Sequence, residues 1–250
     1  MANRFYDPGE QRSAKVRDLF AAIAPRYDLI NDLQSFGLHR RWKRRLIRLA
    51  GVRPGEHALD LCCGTGDLAF ALARQGAQVV GLDFSAPMLA VAQARFRQQR
   101  RAASTSNRPH STIRNPQFVR ADALKLPFPD ASFDIVTIGY GLRNLADFEQ
   151  GLSEIARVAK PGGRLLVLDF GKPAQALWRA VYFAHLKWFV PLFGKIFCSD
   201  PATYAYISES LKHYPAQEGV AAKMRELRCA DVRVVNLLGG AMSIHCGAKR

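Results

Sequence analysis

Apolar residues fall at Val16, Leu19, Phe20 and Ile23, a spacing of three and four that predicts a helix over Ser13 to Ile23. A second, strongly basic helix is expected over His39 to Ala50. From Glu56 the period changes. HALDL reads as a short buried strand, DLAFALARQ as a helix, AQVVGLDF as a strand and APMLAVAQARF as a helix, with Ser85 placed as its N-cap and Pro87 in its first turn. Strands alternating with helices predict βαβ units and a parallel sheet. QFVRAD and FDIVTIGY continue it, followed by a helix from about Ala146 to Ala159, a KPGG turn and the strand RLLVLDF. The segment Gln99 to Pro116, rich in Arg, Ser and Asn and without periodicity, reads as a mobile loop. Helices are expected over Ala174 to Phe197, Pro201 to Tyr214 and Ala216 to Leu227. VRVVNLL and AMSIHCGAK, around Gly239 and Gly240, then form an antiparallel pair closing the sheet edge. The pattern amounts to one α/β domain over residues 1–250, with a helical cover over 1–50 and a helical insertion or lid over 174–227.

With 48% hydrophobic and 23% charged residues in 250, the chain has enough apolar content and length for a sizeable core, which excludes a wholly disordered or collagen-like chain. Cysteines occur at Cys62, Cys63, Cys198, Cys229 and Cys246, five in all, with no CxxC spacing. Neither a disulfide framework nor a metal site is expected, and a reducing, cytoplasmic setting fits. The N-terminal stretch is polar and has no signal-peptide core. Leu177 to Phe197 is interrupted by Arg179, Lys187, Pro191 and Lys195, which makes a poor membrane span. The net charge of +15 attracts phosphate-rich partners or an anionic membrane surface.

The candidate chemistry centres on Asp60-Leu-Cys-Cys-Gly64-Thr65-Gly66-Asp67, where a strand turns into a helix. Small residues there let the backbone approach a ligand, and the helix start offers free N–H groups. A glycine turn alone serves equally well to pack a strand tightly against a helix. Asp83, ending the next strand 17 residues after Gly66, can accept both hydroxyls of a ribose. Asp122, ending the third strand, can take an adenine amino group. Gly64-Thr-Gly66-Asp-Leu-Ala69 also satisfies the dinucleotide fingerprint GxGxxA. Asp60 discriminates: an acid before the turn repels a pyrophosphate and attracts the ammonium and sulfonium of S-adenosylmethionine.

With Asp60, Gly64, Gly66, Asp83 and Asp122, the chain resembles a class I S-adenosylmethionine-dependent methyltransferase. YDLINDLQSFGLHRRWK (Tyr27 to Lys43), LDLCCGTGDLA (Leu59 to Ala69), GYGLRN (Gly139 to Asn144) and RVAKPGGRLLVLDF (Arg157 to Phe170) together resemble the ubiquinone/menaquinone biosynthesis C-methyltransferase family, in its order, from about residue 12 onward. Ile30 and Gln34 replace methionines usual there, and Asp169-Phe-Gly171 replaces Glu-x-Ser. The resemblance implies a Rossmann-like fold, a mostly parallel seven-stranded sheet with an antiparallel C-terminal strand and helices on both faces. It implies that Thr65, Asp83, Asp122 and Ala123 contact S-adenosylmethionine, with Asp60, Gly64 and Gly66 shaping its methionine end. It also implies a hydroquinone with a prenyl tail, methylated on a ring carbon. Demethylmenaquinol ranks first, with phylloquinone and ubiquinone precursors as close alternatives.

Such a ring attacks a methyl group well only when its hydroxyl is ionised, and a phenol pKa is about 10. Arg143, just past the fourth strand, is the cation expected to stabilise the phenolate, with Asn144 or Tyr140 orienting the ring oxygen. Without the resemblance, Asn144 would read as a simple helix cap. Water, His39, Asp28 and Asp169 all stand as proton acceptors. Tyr27, Asp28, Asn31, His39 and Trp42 are expected on a cover that excludes water. Arg40, Arg41, Lys43, Arg44, Arg45 and Arg48 crowd one short helix. With the aromatic run Trp178, Tyr182, Phe183, Trp188, Phe189, Phe193 and Phe197 they suggest peripheral contact with anionic lipid and a groove for the prenyl chain. A homodimer is compatible with these features. Nucleic acid is not expected as a substrate, because Gly139-Tyr-Gly-Leu142 stands where amino-methylating enzymes carry Asn/Asp-Pro-Pro-Tyr/Phe. Asp60 and the KPGG turn disfavour an NAD-dependent oxidoreductase.

Overall fold

The computed structural model describes residues 12–104, 116–198 and 202–250. Three helices come first, α1 (Arg12–Ile23), α2 (Tyr27–Ser35) and α3 (Leu38–Ala50). The alternating part follows: β1 (His57–Leu61), α4 (Asp67–Arg74), β2 (Gln78–Asp83), α5 (Ala86–Ser104), β3 (Gln117–Arg120), β4 (Phe133–Gly139), α6 (Phe148–Val158) and β5 (Ala159–Phe170). The chain ends with α7 (Ala176–Cys198), α8 (Ala202–His213), α9 (Ala216–Glu226), β6 (Cys229–Leu237) and β7 (Met242–Lys249).

Among the described residues seven strands form one sheet in the order β3-β2-β1-β4-β5-β7-β6. β7 runs antiparallel to both β5 and β6, so the last strand inserts beside β5 and β6 takes the edge. Period-two alternation splits the core between the two faces. Leu59, Leu61, Val136, Ile138, Leu165 and Val167 pack on one side, and Ala58, Ile135, Leu166 and Leu168 on the other. Strand order reverses between β1 and β4, which opens a crevice at their carboxyl ends. Residues of α1, α2 and the start of α3 lie toward that end, while Leu46, Ile47 and Ala50 of α3 pack on one face of the sheet beside α4.

Four local expectations are revised. Helix α5 continues to Ser104, because Gln99 to Ala103 are mostly good helix formers that need no apolar stripe; residues 105–115 of the expected loop lie outside the described ones. The KPGG stretch is a bulge inside β5, where the register with β4 slips between Phe133 and Ile135. A Cβ on Gly163 would lie 2.7 Å from the Lys160 carbonyl oxygen, so only glycine fits. Helix α6 starts at Phe148, capped by Asp147, which accepts from the N–H groups of Glu149 and Gln150. Ser85 does not cap α5 through its hydroxyl, which is buried with no hydrogen-bond partner among the described residues; its N–H is held instead by Asp83 Oδ1 at 2.9 Å.

Candidate active site

The turn after β1 is built from left-handed residues. Cys62 has φ 52°, Gly64 φ 55° and Gly66 φ 88°, and a Cβ on Gly66 would come within 2.9 Å of the Phe70 ring. Two carboxylates hold this turn from opposite sides. The Gly64 N–H donates to Asp83 Oδ2 at 2.8 Å, which ties the turn to the end of β2. Asp60 is 1% exposed and lines neither cavity at the strand ends. It accepts from the Ala69 N–H at 3.0 Å and from Thr137 Oγ1 at 2.9 Å, its register partner on β4. Burial pushes the Asp60 carboxyl up to about 7, against the pull of those two donors.

A cavity of about 450 Å³ opens at the strand ends, walled by Gly64, Asp83, Asp122, Ala123, Tyr140 and Asn144 among others. Each Asp83 oxygen accepts one backbone N–H and has a second lone pair that can accept a hydroxyl. Asp83 is buried, and desolvation raises its carboxyl above the ordinary value. Asp122 accepts the Leu124 N–H at 2.9 Å and is exposed at the far end. Asn144 lies in a 3-10 turn, Leu142–Asn144, with its Nδ2 on the Tyr140 carbonyl. Its buried Oδ1 has no hydrogen-bond partner among the described residues and remains open to an ammonium group. Because Asp147 caps α6, Asn144 is free of that duty.

A second cavity, about 330 Å³, adjoins the first and shares Phe20, Tyr27 and Tyr140 with it. Its walls are mostly apolar, including Ile23, Trp42, Phe170, Val181 and Ile207, and they hold His39 and Arg143. Arg143 is 4% exposed. Its Nη1 donates to Asp169 Oδ1 at 2.8 Å and to the Tyr140 carbonyl at 2.7 Å, and its guanidinium lies 4.4 Å from the Phe170 ring centroid. Tyr140 adopts φ 63°, a strained value for a bulky residue that sets its ring at the junction of the cavities. Its hydroxyl is buried and without a hydrogen-bond partner among the described residues, and burial drives its pKa well up.

The chain matches the ubiE/COQ5 methyltransferase family over residues 9–249. It is 43% identical to the ubiquinone/menaquinone biosynthesis C-methyltransferase UbiE of Ectopseudomonas mendocina over 97% of this chain and 91% of that protein. The protein of the same name from Azotobacter vinelandii is 42% identical, over 97% of this chain and 92% of that one. The chain belongs to the ubiE/COQ5 methyltransferase family. The fold has solved counterparts as well. An S-adenosylmethionine-dependent methyltransferase from Thermotoga maritima, described as a possible histamine N-methyltransferase, superposes with a TM-score of 0.62 at 17% identity, covering 93% of this chain and 99% of that one.

In this ubiE/COQ5 methyltransferase the expected cofactor residues divide into two groups. Gly64, Asp83, Asp122 and Ala123 line the first cavity. Asp60, Thr65 and Gly66 are not among its walls; Asp60 instead holds the turn through the Ala69 N–H. Of the expected catalytic residues, Arg143, His39 and Tyr140 meet in the second cavity, and Asn144 faces the first. Asp28 joins neither wall. Its carboxylate accepts from Thr65 Oγ1 at 2.8 Å and from Arg95 Nη1 at 3.0 Å, and so fastens α2 to the turn and to α5.

Sequence reasoning missed the rest of that fastening. Arg95 also donates to the Thr65 carbonyl and to Asp67 Oδ1, and Lys43 donates to Asp67 Oδ2, each bond 2.7 or 2.8 Å long. Burial alone would raise the Asp67 carboxyl, but Lys43 and Arg95 outweigh it and hold it well below the ordinary range. The available signal was charge segregation: α2 carries Asp28 and Asp32 four apart, opposite a helix rich in Lys and Arg.

Proposed function

We propose that this protein methylates a ring carbon of a prenylated hydroquinone, with demethylmenaquinol becoming menaquinol. The carrying observation is the pair of joined cavities, one bearing the strand-end carboxylates and the other an aromatic-walled pocket around a buried arginine. The relatives' names support the substrate class. S-adenosylmethionine is the cofactor: Asp83, the Gly64 turn and the open Asn144 Oδ1 suit its ribose, its methionine end and its ammonium. When bound it supplies an electrophilic methyl on a positively charged sulfur. Arg143 holds the quinol oxygen in its ionised form, and the dry apolar walls strengthen that attraction. Tyr27 and Tyr140 align the ring at the passage between the cavities.

The test is incubation of the protein with labelled S-adenosylmethionine and, in parallel, reduced demethylmenaquinone, a reduced demethylated ubiquinone precursor and bulk RNA. Label on reduced demethylmenaquinone is expected. Label confined to the ubiquinone precursor would reassign the quinone, and label on RNA alone would overturn the reading.

The same reading extends to where the protein works. Among the described residues no helix is long and apolar enough to cross a membrane. Yet Phe36, Val181 and Leu238, all lining the second cavity, are 82%, 50% and 51% exposed, and Trp188 on α7 is 69% exposed. Arg40, Arg41, Arg44, Arg45 and Arg48 are exposed on α3, whose Leu38, His39 and Trp42 line the same cavity. Apolar side chains at a pocket mouth beside a cationic helix suit an anionic bilayer holding a prenylated substrate, at about 1 kcal/mol per basic residue near the surface. The protein is expected to float with vesicles rich in phosphatidylglycerol and not with neutral ones. Changing Arg41, Arg44, Arg45 and Arg48 together to Gln is expected to weaken binding at least tenfold. Equal flotation with both vesicle types would remove the membrane proposal. The side chains of 189–198, including Phe189, Phe193 and Phe197, lie outside those described.

A further inference from the structure

The quinol hydroxyl must lose a proton, and the structure narrows the groups able to take it. Asp169 is fully buried and its oxygens already accept from Arg143 Nη1, the Arg143 N–H and the Phe170 N–H. Asp28 lies outside the cavity walls, and Lys43 is bound to Asp67. His39 differs from all of these. It is 4% exposed, shares the cavity wall with Arg143, and its Nδ1 is buried with no hydrogen-bond partner among the described residues.

We infer that His39, oriented by Asp32, is the base that removes the quinol proton in the reaction proposed above. His39 Nε2 lies 2.8 Å from Asp32 Oδ1. An ionised carboxylate only accepts, so Nε2 carries the hydrogen and Nδ1 is left with its lone pair. Asp32 is itself fixed by Arg40, whose Nε donates to Oδ1 at 2.7 Å. The backbone reinforces the placement: Gly37 at φ 72° turns the chain from α2 into α3, and the His39 N–H donates to Ser35 Oγ at 3.2 Å.

The charges around the imidazole come from every side. Asp32 on α2 and Asp67 on α4 favour its protonation, while Lys43 on α3 opposes it; Arg143 beyond β4 and His185 on α7 line the same cavity. Burial, with Lys43 adding to it, outweighs Asp32 and lowers the His39 pKa below 6.5. The ring is therefore neutral, and basic, at neutral pH.

The step balances. The quinol O–H bond breaks, its proton goes to Nδ1 and the electron pair stays on oxygen beside Arg143. A new carbon–carbon bond forms from the ring to the methyl, and sulfur keeps the pair of the bond that breaks. The ring carbon then gives its own proton to water, and the histidinium returns the first proton to oxygen. One proton reaches solvent per turnover.

The decisive variant is His39→Gln, which keeps an N–H donor for Asp32 and has no basic nitrogen. In the wild type kcat/KM is expected to rise through an acid limb below pH 6.5 and then level off. In His39→Gln kcat is expected to drop about a hundredfold or more and to climb with pH without a plateau, while S-adenosylmethionine affinity stays unchanged. Asp32→Asn is expected to lose about tenfold and to move the acid limb lower, with partial rescue by Asp32→Glu. A readout without turnover uses a naphthohydroquinone probe bound with S-adenosylhomocysteine, whose phenolate absorbance should appear at lower pH in wild type than in His39→Gln. Nitrogen-15 shifts of the wild-type protein should report an Nε2–H tautomer that gains a proton at Nδ1 when the probe binds; this holds the proposal to account even where a variant folds poorly. A wild-type pH profile and phenolate signal in His39→Gln, or an Nδ1–H tautomer in wild type, would overturn the assignment to His39. Failure of the wild type to methylate any quinol would instead bring down the functional reading on which it rests.

Discussion

Replacing Arg143 with methionine is expected to lower kcat for quinol methylation about a thousandfold while leaving S-adenosylmethionine binding close to wild type. Removing one preorganised donor to a developing oxyanion costs about 2.7 to 4 kcal/mol in such sites, roughly a hundredfold to a thousandfold, and the sealed position of Arg143 puts it at the upper end. Arg143 is suited to the role because it is nearly sealed from water and anchored on three sides, by Asp169, the Tyr140 carbonyl and the Phe170 ring. The same anchoring has a structural price. Asp169 would be left as a buried charge without its guanidinium, a change that destabilises by about 3 to 5 kcal/mol. The double variant Arg143→Met with Asp169→Asn separates the two effects. Thermal denaturation should recover part of the lost stability, because the stranded charge is gone, and labelled methyl transfer should stay low. Recovery of activity along with stability would mean that Arg143 serves the fold alone.

The second large effect is expected at Asp83. In Asp83→Asn one oxygen becomes an amide that donates, so it faces either the Gly64 or the Ser85 N–H with the wrong polarity. The turn after β1 loses an anchor and the ribose loses an acceptor at once. Two charge-assisted bonds at about 1.5 kcal/mol each correspond to roughly a hundredfold weaker cofactor binding, measured by calorimetry with S-adenosylhomocysteine. An Asp122→Asn protein should lose far less, since Asp122 is exposed and its fixed bond is to the nearby Leu124 N–H. Equal losses at the two positions would contradict the division of labour between a buried and an exposed carboxylate.

Local patterning carried most of the architecture. Period two in β1, β4 and β5, the left-handed glycines after β1 and the acids at the end of β2 and two residues past β3 are visible in the chain, because each depends on neighbours within a few residues. The motifs running from Tyr27 to Phe170 were enough to indicate the family. Boundaries shifted where polar helix formers lengthened α5 and where a bulge carried β5 across its glycines.

Partnerships between distant segments became visible only on folding. Asp60 reads in sequence as an acid beside the cofactor, but pairing of β1 with β4 turns it onto Thr137 and the start of α4. Asp28 was a candidate base, and packing of α2 against the turn spends it on Thr65 and Arg95. His39 and Arg143 are 104 residues apart in the chain and line one cavity, with Asp32 and Asp169 chosen as their supports. Residue type and period encode which groups are available and which face of an element they occupy. Which carboxylate each cation or imidazole meets is decided by how the covering helices dock on the sheet, a long-range packing outcome that no local pattern contains.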